Sequence, residues 1–290
     1  MTAGSVAILA GAGELPLLLA DRLASAGRPL RILAIRGFSA RATRARADAV
    51  VALLDIQRAF ACLDRWKPGI VTLAGGLTRP SAAALAGAFS LVRNRDDIGR
   101  LIARGDDNLM RGVVELIEER GYPVAGVREL APELLADQVV YGRRQPDAKD
   151  EAAISWGVRV LDAMSPFDIG QAVVVSGERV LAIEGPEGTD RTLARARAER
   201  ERKLFRRARS GGVLVKAPKR GQDLRVDLPA IGPRTVANAA AAGLDGIAVA
   251  AGLTLVLNRR ETVEAADRHG LFVVGIDPSR FTARDADAHG

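Results

Sequence analysis

The stretch that decides the fold is residues 6–16, which read Val-Ala-Ile-Leu-Ala-Gly-Ala-Gly-Glu-Leu-Pro. The apolar run Val6–Ala10 is typical of a buried strand, and the glycines that follow are typical of a tight turn. A helical pattern over residues 15–26 comes next. This order of strand, turn and helix predicts the first unit of a parallel α/β sheet.

The same alternation continues along the first half. It predicts strands over residues 30–35, 50–54, 70–74 and 123–127, and helices over 56–67, 97–104 and 107–120. Ligands of such sheets bind at the carboxyl ends of the strands, so the turns after Ala10 and Ala74 are the places to look for a site.

The second half has a different pattern, which predicts a mixed sheet. Strands are expected over residues 172–175, 180–183, 213–216, 247–251, 254–257 and 271–276, and helices over 151–161, from 189, over 233–242 and over 260–269. The polar stretch 141–150 is interpreted as a linker or exposed loop, and the tail from Ser279 as disordered. We therefore predict two domains, a Rossmann-like α/β domain over 1–134 and a catalytic α/β domain over 135–290.

Composition narrows the chemistry. The 290-residue chain has a net charge of +7, which favours phosphates, anionic lipid surfaces or nucleic acid as partners. The single cysteine, Cys62, excludes an intrachain disulfide and a thiolate metal cluster. With only His269 and His289, a Ser-His-Asp triad or a multi-histidine metal site is not expected. A metal would have to use oxygen ligands, which favours Mg²⁺ over Zn²⁺.

Two features bear on location. The N-terminus does not have the basic start and continuous apolar core of a signal peptide, and no apolar run approaches the roughly 20 residues that span a bilayer. A cytoplasmic protein is therefore expected, with any membrane contact peripheral.

The glycine turns of the first half admit several interpretations. Gly11 and Gly13 could let the backbone approach a phosphate, but Pro16 stands where a dinucleotide fingerprint has its third glycine. A purely structural turn is the alternative. After Gly75-Gly76, Arg79 could bind a phosphate or pair with a nearby acid.

Two charged segments also admit more than one interpretation. Asp106 and Asp107 could cap a helix or contact a sugar or metal. The basic run from Arg191 to Arg209 could be a solvated helix face or a surface for anionic lipid headgroups. Nucleic acid is not expected as the partner, because no aromatic stacking platform accompanies the run.

The second half carries a denser group of polar motifs. Carboxylates and lysines follow several predicted strands, in the segments Asp168–Gln171, Glu184–Asp190, Lys216–Lys219 and Arg225–Pro229. Carboxylates beside lysines suit Mg²⁺-assisted attack of water on a pyrophosphate, because the cations neutralise charge on the phosphoryl oxygens. The alternative is that Thr189 and Asp190 cap a helix and that Asp227 is a turn residue.

Together these motifs resemble the UDP-2,3-diacylglucosamine pyrophosphatase family of the lipid A pathway. The resemblance runs from Ile8 to about Pro278. It is carried by Ala10-Gly-Ala-Gly-Glu-Leu-Pro16, Ala74-Gly-Gly-Leu-Thr-Arg-Pro80, Gly105-Asp-Asp107, Asp168-Ile-Gly-Gln171, Glu187-Gly-Thr-Asp190, Lys216-Ala-Pro-Lys219, Arg225-Val-Asp-Leu-Pro229 and Gly270-Leu-Phe-Val-Val-Gly-Ile-Asp277.

The resemblance implies two α/β domains with the ligand between them. It implies a Mg²⁺-dependent enzyme that releases UMP and 2,3-diacylglucosamine 1-phosphate (lipid X) at the cytoplasmic face of the inner membrane. Asp227 matches the family's essential aspartate and is expected to bind the metal or activate water. Lys216 and Asp190 are assigned to catalysis, and Asp190 also to the metal. The substrate-binding residues would be Gly11, Gly13, Arg79, Asp106, Asp107, Gln171, Thr189 and Lys219.

Other interpretations predict other behaviour. A nucleotide-dependent oxidoreductase would bind NAD(P) at the Gly11–Gly13 turn. A non-catalytic basic module would bind lipid or nucleic acid through the run from Arg191 to Arg209, with a strong salt dependence. A homodimer is a further possibility.

Overall fold

The structure is a computed structural model, and it describes residues 4–53, 55–76, 106–201 and 211–282. Contacts divide the chain into two compact units. Unit 1 comprises Met1–Pro132 and Asp223–Asp227, and unit 2 comprises Glu133–Gln222 and Leu228–Gly290. The predicted division fell between residues 134 and 135, and the sequence contained no sign that residues 223–227 belong with the first half.

Unit 1 contains the predicted parallel sheet. Its strands are β1 (Val6–Ala10), β2 (Leu30–Ile35), β3 (Ala49–Val51) and β4 (Ile70–Ala74), in the order β3-β2-β1-β4. In this register Ala10 lies opposite both Ala34 and Ala74, so β1, β2 and β4 end at the same edge. The turns after β1 and β4 are therefore neighbours, as the parallel arrangement predicted.

The described helices of unit 1 are α1 (Leu15–Ser25), α2 (Arg41–Arg46), α3 (Ile56–Trp66), α4 (Asp106–Glu119) and α5 (Val127–Leu130). Apolar side chains of α3 and α4 pack with β4; Phe60, Val114 and Leu73 are among them. Asp55 caps α3 by accepting a hydrogen bond from the Arg58 N–H at 3.2 Å. The predicted helix over 97–104 lies outside the described residues.

The strand predicted over residues 123–127 is wrong. Val124 makes only an isolated parallel bridge with Val71, and Val127 already begins α5. Gly126 is the N-cap of that helix, and a Cβ there would lie 2.6 Å from the Arg225 Cα. A glycine is needed at this position because the backbone of segment 223–227 approaches it closely.

Unit 2 is built on a six-stranded sheet, which is mixed, as predicted. Its strands are β5 (Val140–Tyr141), β6 (Ala172–Ser176), β7 (Arg179–Ile183), β8 (Val213–Lys216), β10 (Gly246–Ala250) and β12 (Phe272–Ile276), in the order β5-β12-β10-β8-β6-β7. The neighbours β8, β10 and β12 are parallel, and the other pairings are antiparallel. A separate parallel pair joins β9 (Ala230–Ile231) to β11 (Leu255–Val256).

Helices cover both faces of this sheet. They are α6 (Ala148–Met164), α7 (Thr189–Glu201), α8 (Pro233–Ala241), α9 (Arg259–His269) and α10 (Ser279–Thr282). Val173 and Val175 pack in the cluster that includes α6, whereas Val174 packs in the cluster that includes α7, α8 and α9. Strands buried on both faces have continuous apolar sequences, which is why β6 and β8 were recognisable.

Two predictions for this half need correction. The stretch 141–150 is not a loop throughout, because Tyr141 ends β5 and Ala148 begins α6. Asp147 caps α6, accepting from the Asp150 N–H at 3.0 Å, and Asp150 accepts in return from the Asp147 N–H at 3.1 Å. The tail prediction is wrong for residues 279–282, which form α10, and the rest of the tail lies outside the described residues.

Candidate active site

The two glycine turns of unit 1 pack against each other through their backbones. The Gly11 N–H donates to the Ala74 carbonyl at 2.8 Å, and Ala12 and Gly76 exchange hydrogen bonds at 2.8 and 3.1 Å. A Cβ on Gly11 would lie 2.7 Å from the Gly76 carbonyl oxygen. Gly11 is therefore required for close backbone approach, and its N–H is used inside the protein.

The other predicted binding residues of unit 1 are less informative. Gly13 has a φ of +87° with open space around it, so its glycine serves the backbone conformation. Asp106 and Asp107 are the first residues of α4. Arg79 lies outside the described residues. The substrate-binding roles assigned to these residues stay predictions.

Unit 2 brings three polar side chains together at one edge of its sheet. Lys216 is the last residue of β8, Glu184 directly follows β7, and Thr189 is the first residue of α7. The Lys216 Nζ donates to the Thr189 Oγ1 at 2.5 Å, and that hydroxyl donates to the Glu184 Oε1 at 2.7 Å. The ammonium and carboxylate are 3.9 Å apart. We call Lys216, Thr189 and Glu184 the Lys–Thr–Glu cluster.

Strand pairing places this cluster. Lys216 lies opposite Ala172 in the β6–β8 ladder, and the Glu184 N–H donates to the Ala172 carbonyl at 2.8 Å. Gln171, the residue before β6, receives a hydrogen bond on its carbonyl from the Ala217 N–H at 3.0 Å. The predicted residues Gln171, Thr189 and Lys216 are thus brought to one edge by three adjacent strands.

A second lysine pairs nearby in the sequence. The Lys219 Nζ forms an ion pair with Asp168, and the Lys219 N–H donates to the Gln222 Oε1 at 2.9 Å. Asp168 has a left-handed backbone, with a φ of +57°. Its neighbours Phe167 and Ile169 are 74% and 42% exposed, which is unusual for large apolar side chains among the residues that the structure describes.

Asp190 is already engaged on both carboxylate oxygens. Its Oδ1 accepts from the Asn238 Nδ2 at 2.9 Å, and its Oδ2 lies 2.9 Å from the Arg234 guanidinium. Both partners belong to α8. A catalytic or metal-binding role for Asp190 therefore requires that Arg234, which is largely exposed, be exchanged for the ligand.

Asp227 lies in the segment of the chain that belongs to unit 1. Its N–H donates to the Asp223 carbonyl at 3.2 Å, and its side chain is partly buried. The intervening Arg225 lies 2.8 Å from Asp223 and 2.9 Å from Glu118 on α4. Hydrogen bonds from Arg225 lower the pKa of the Asp223 carboxyl, because they favour its charged form. The turn that carries Asp227 is thus held to α4.

Comparison with known proteins covers almost the whole chain. The LpxI N-terminal domain matches residues 5–134, and the LpxI C-terminal domain matches residues 137–274. The chain belongs to the LpxI family. This confirms the family predicted from the sequence motifs.

Individual relatives differ in how much they add. The UDP-2,3-diacylglucosamine pyrophosphatase LpxI of Caulobacter vibrioides is 35% identical over 271 residues, which cover 93% of this chain and 97% of that protein. Two solved structures are more distant. A Mycobacterium tuberculosis glycinamide-RNase-transformylase T is 16% identical, with a TM-score of 0.22 over 59% of this chain and 40% of its own. The biotin carboxylase domain of the Hydrogenobacter thermophilus 2-oxoglutarate carboxylase is 12% identical, with a TM-score of 0.25 over 70% and 43%. Both TM-scores are too low for either structure to inform the fold of this chain.

Within this LpxI family member, a carboxylate-rich metal centre is not evident in the part of the chain that the structure describes. No group of three or more His, Cys, Asp or Glu side chains there could hold an ion together. Mg²⁺ sites often use one or two carboxylates and complete the shell with water and substrate phosphates. The metal-binding roles of Asp227 and Asp190 stay predictions, and Asp190 would first have to release Arg234.

Sequence reasoning did not single out Glu184 as a site residue. It was recognised only as the start of the segment Glu184–Asp190, whereas the structure places its carboxylate at the centre of the Lys–Thr–Glu cluster. Its position directly after the edge strand β7, five residues before Thr189, was the available signal. Pairing of β7 with β6 was needed to bring it beside Lys216.

Proposed function

We propose that this protein hydrolyses the pyrophosphate bond of UDP-2,3-diacylglucosamine, with Mg²⁺, to UMP and 2,3-diacylglucosamine 1-phosphate. The observation that carries the proposal is membership of the LpxI family over almost the whole chain, with a pyrophosphatase of that name 35% identical across 93% of it. The polar edge of unit 2 gives this proposal a physical basis.

The Lys–Thr–Glu cluster suits a pyrophosphate ligand. Lys216 is 7% exposed, so its ammonium is largely shielded from water and interacts strongly with nearby charge. An ammonium fixed at a strand end can stabilise the charge that grows on phosphoryl oxygens during transfer. Thr189, at the start of α7, adds a helix N-terminus, which favours anions.

In the proposed reaction, a water oxygen bonds to the α-phosphorus as the bond from that phosphorus to the bridging oxygen breaks. The water loses its proton, and the bridging oxygen leaves with the β-phosphate on the diacylglucosamine. Asp227 would hold a metal ion or accept the water's proton. Asp190 could hold a metal ion only after Arg234 has left its carboxylate. Bound Mg²⁺ would supply charge neutralisation at the phosphate oxygens.

The substrate's acyl chains imply a location at the membrane. No helix in the described residues is long and apolar enough to cross a bilayer. We propose peripheral association with the cytoplasmic face of the inner membrane. Co-sedimentation with anionic lipid vesicles at increasing salt would test it, and absence of binding at low salt would contradict it.

The test of the activity is UMP release from the substrate in detergent micelles. Wild type should release UMP with Mg²⁺ and stop with EDTA, and Asp227→Ala should lose activity by at least about 1000-fold. Asp21→Ala is the control, because Asp21 is an exposed unit 1 carboxylate that pairs with Arg46 at 2.7 Å, and this variant should stay active.

The outcomes separate the parts of the proposal. No UMP from folded wild type contradicts the hydrolase assignment. UMP release that persists in EDTA contradicts the metal. Near-normal activity of Asp227→Ala contradicts the role of that carboxylate but leaves the substrate assignment intact.

A further inference from the structure

We propose that Glu184 is a positioning residue for this hydrolysis, which fixes Thr189 and Lys216 in the geometry that receives the pyrophosphate. The inference rests on the proposed function. It adds a residue that acts through its neighbours and does not itself touch the substrate.

The carboxylate of Glu184 is directed into the protein. The residue is 8% exposed, and its Oε1 accepts the Thr189 hydroxyl at 2.7 Å. Its Oε2 lies 3.4 Å from the Gln171 N–H, at the other side of the same sheet edge. Both carboxylate oxygens therefore contact predicted substrate-binding residues, which Glu184 can hold in position.

This arrangement sets the direction of the hydrogen bonds. The Thr189 hydroxyl donates its only proton to Glu184, so its oxygen is left to accept from Lys216. An ammonium has three N–H donors, and Thr189 takes one of them. The Lys216 ammonium is therefore held at a fixed point by an oriented hydroxyl and a carboxylate.

The backbone of Glu184 is fixed as well as its side chain. Its N–H is bonded to Ala172, and a Cβ on Gly170 would lie 2.0 Å from the Glu184 carbonyl oxygen. Gly170 has a φ of +51°, which favours glycine. The loop before β6 thus packs directly on Glu184. Because Glu184 follows β7 and bonds to β6, its position is fixed more precisely than that of a residue in an isolated loop.

The experiment is a kinetic comparison of Glu184→Gln with Glu178→Gln. Glutamine keeps the shape of Glu184 but loses the charge and one acceptor. We expect kcat to fall 10- to 100-fold, the range typical of supporting residues around a reactive centre, and KM to change less than about threefold. Glu178 is an exposed carboxylate in the turn between β6 and β7, so Glu178→Gln should match wild type.

A double-mutant cycle tests whether Glu184 acts through Thr189. Thr189→Val should lower kcat to a similar degree, and Glu184→Gln should add less than about twofold to it, because the two changes break one chain of bonds. Multiplicative losses would overturn the proposal and indicate direct action on metal or substrate. If Glu184→Gln does not fold, Thr189→Val alone decides, and wild-type kcat in that variant overturns the proposal.

A measurement without substrate separates this inference from the proposed function. The chain has five lysines, so a lysine-labelled NMR spectrum is simple, and Lys216→Arg identifies the Lys216 ammonium signal. We expect slow proton exchange at Lys216 in wild type and in Glu178→Gln, and fast exchange in Glu184→Gln. Unchanged exchange overturns the positioning role. If exchange at Lys216 changes but wild type releases no UMP, the positioning contact is supported and the proposed hydrolase activity is contradicted.

Discussion

The carboxyl-end edge of the unit 1 sheet and the polar edge of the unit 2 sheet are built in opposite ways. In unit 1 two glycine turns close on each other through backbone hydrogen bonds, with Gly11 against Gly76. In unit 2 the edge is filled by side chains that are mostly buried and charged, with Lys216 and Glu184 at its centre. Glycines at a strand end can serve shape alone, whereas buried charges with oriented hydrogen bonds are costly and are typical of functional sites.

Among the changes that test this contrast between the two units, the largest effect is expected from removing the cation of unit 2. Lys216→Met should lower kcat for UMP release about 100- to 1000-fold, the range measured when one group that stabilises a transition state is lost. It should also lower the free energy of unfolding by about 1–3 kcal/mol, since Glu184 stays buried without its cation. Lys149→Met, at an exposed position of α6, is the control. Wild-type kcat in Lys216→Met would contradict the contrast between the units.

In unit 1 the corresponding change should act on stability. Gly11→Ala brings a Cβ within 2.7 Å of a backbone oxygen, and we expect the free energy of unfolding in urea to fall by about 2–3 kcal/mol, the upper part of the range for overpacking. Gly13→Ala meets no atom within 4 Å and is affected only by its φ of +87°, at about 1 kcal/mol. Equal losses in the two variants would show that close approach is not the constraint on Gly11.

The ion pairs of Arg225 with Asp223 and Glu118 predict a smaller, pH-dependent effect. Arg225 lowers the pKa of Asp223 in the folded protein, so this carboxylate stabilises the fold above its unfolded pKa of about 3.9, and the contribution is lost as pH falls through the lower folded value. Asp223→Asn should therefore cost about 1 kcal/mol at pH 7 and progressively less as the pH falls below the unfolded pKa. Urea unfolding of both proteins at several pH values measures this, and a pH-independent difference would rule the linkage out.

The smallest effect is expected on the exposed face of α7. Arg197 and Glu201 form an ion pair at 2.8 Å, with both side chains more than half exposed. Arg197→Ala should change the free energy of unfolding by less than about 0.5 kcal/mol, because such pairs are screened by water. A loss above 1 kcal/mol in thermal or urea unfolding would mean that this part of the basic run has a structural role.

The sequence predicted most of the fold because the strands are continuous apolar runs that end in glycine or charge. β1, β2, β4 and β8 have the bounds expected from the residues alone. The predictions that proved wrong concern short elements whose state depends on distant partners. Val140–Tyr141 is a strand only because it pairs with β12, and residues 123–127 lack a strand because the chain bends at Gly126.

The candidate site was predictable in part for the same reason. Gln171, Thr189 and Lys216 were found from motifs at strand ends, where a sheet gathers side chains. Glu184 depends on the antiparallel pairing of β7 with β6, which local sequence does not specify. The engagement of Asp190 by Arg234 and Asn238 depends on packing between helices, for which the sequence carries no spacing rule.

The excursion of residues 223–227 into unit 1 has a consequence for recombination. A chimaera made by one crossover near residue 132 would exchange β1 to β4 between two relatives. Residues 223–227, with Arg225, would still come from the other protein. Glu118 and Gly126 would then come from one protein, and the segment that each contacts would come from the other. A functional exchange of halves between two members of this family thus requires three junctions, and Asp227 travels with the smaller insert.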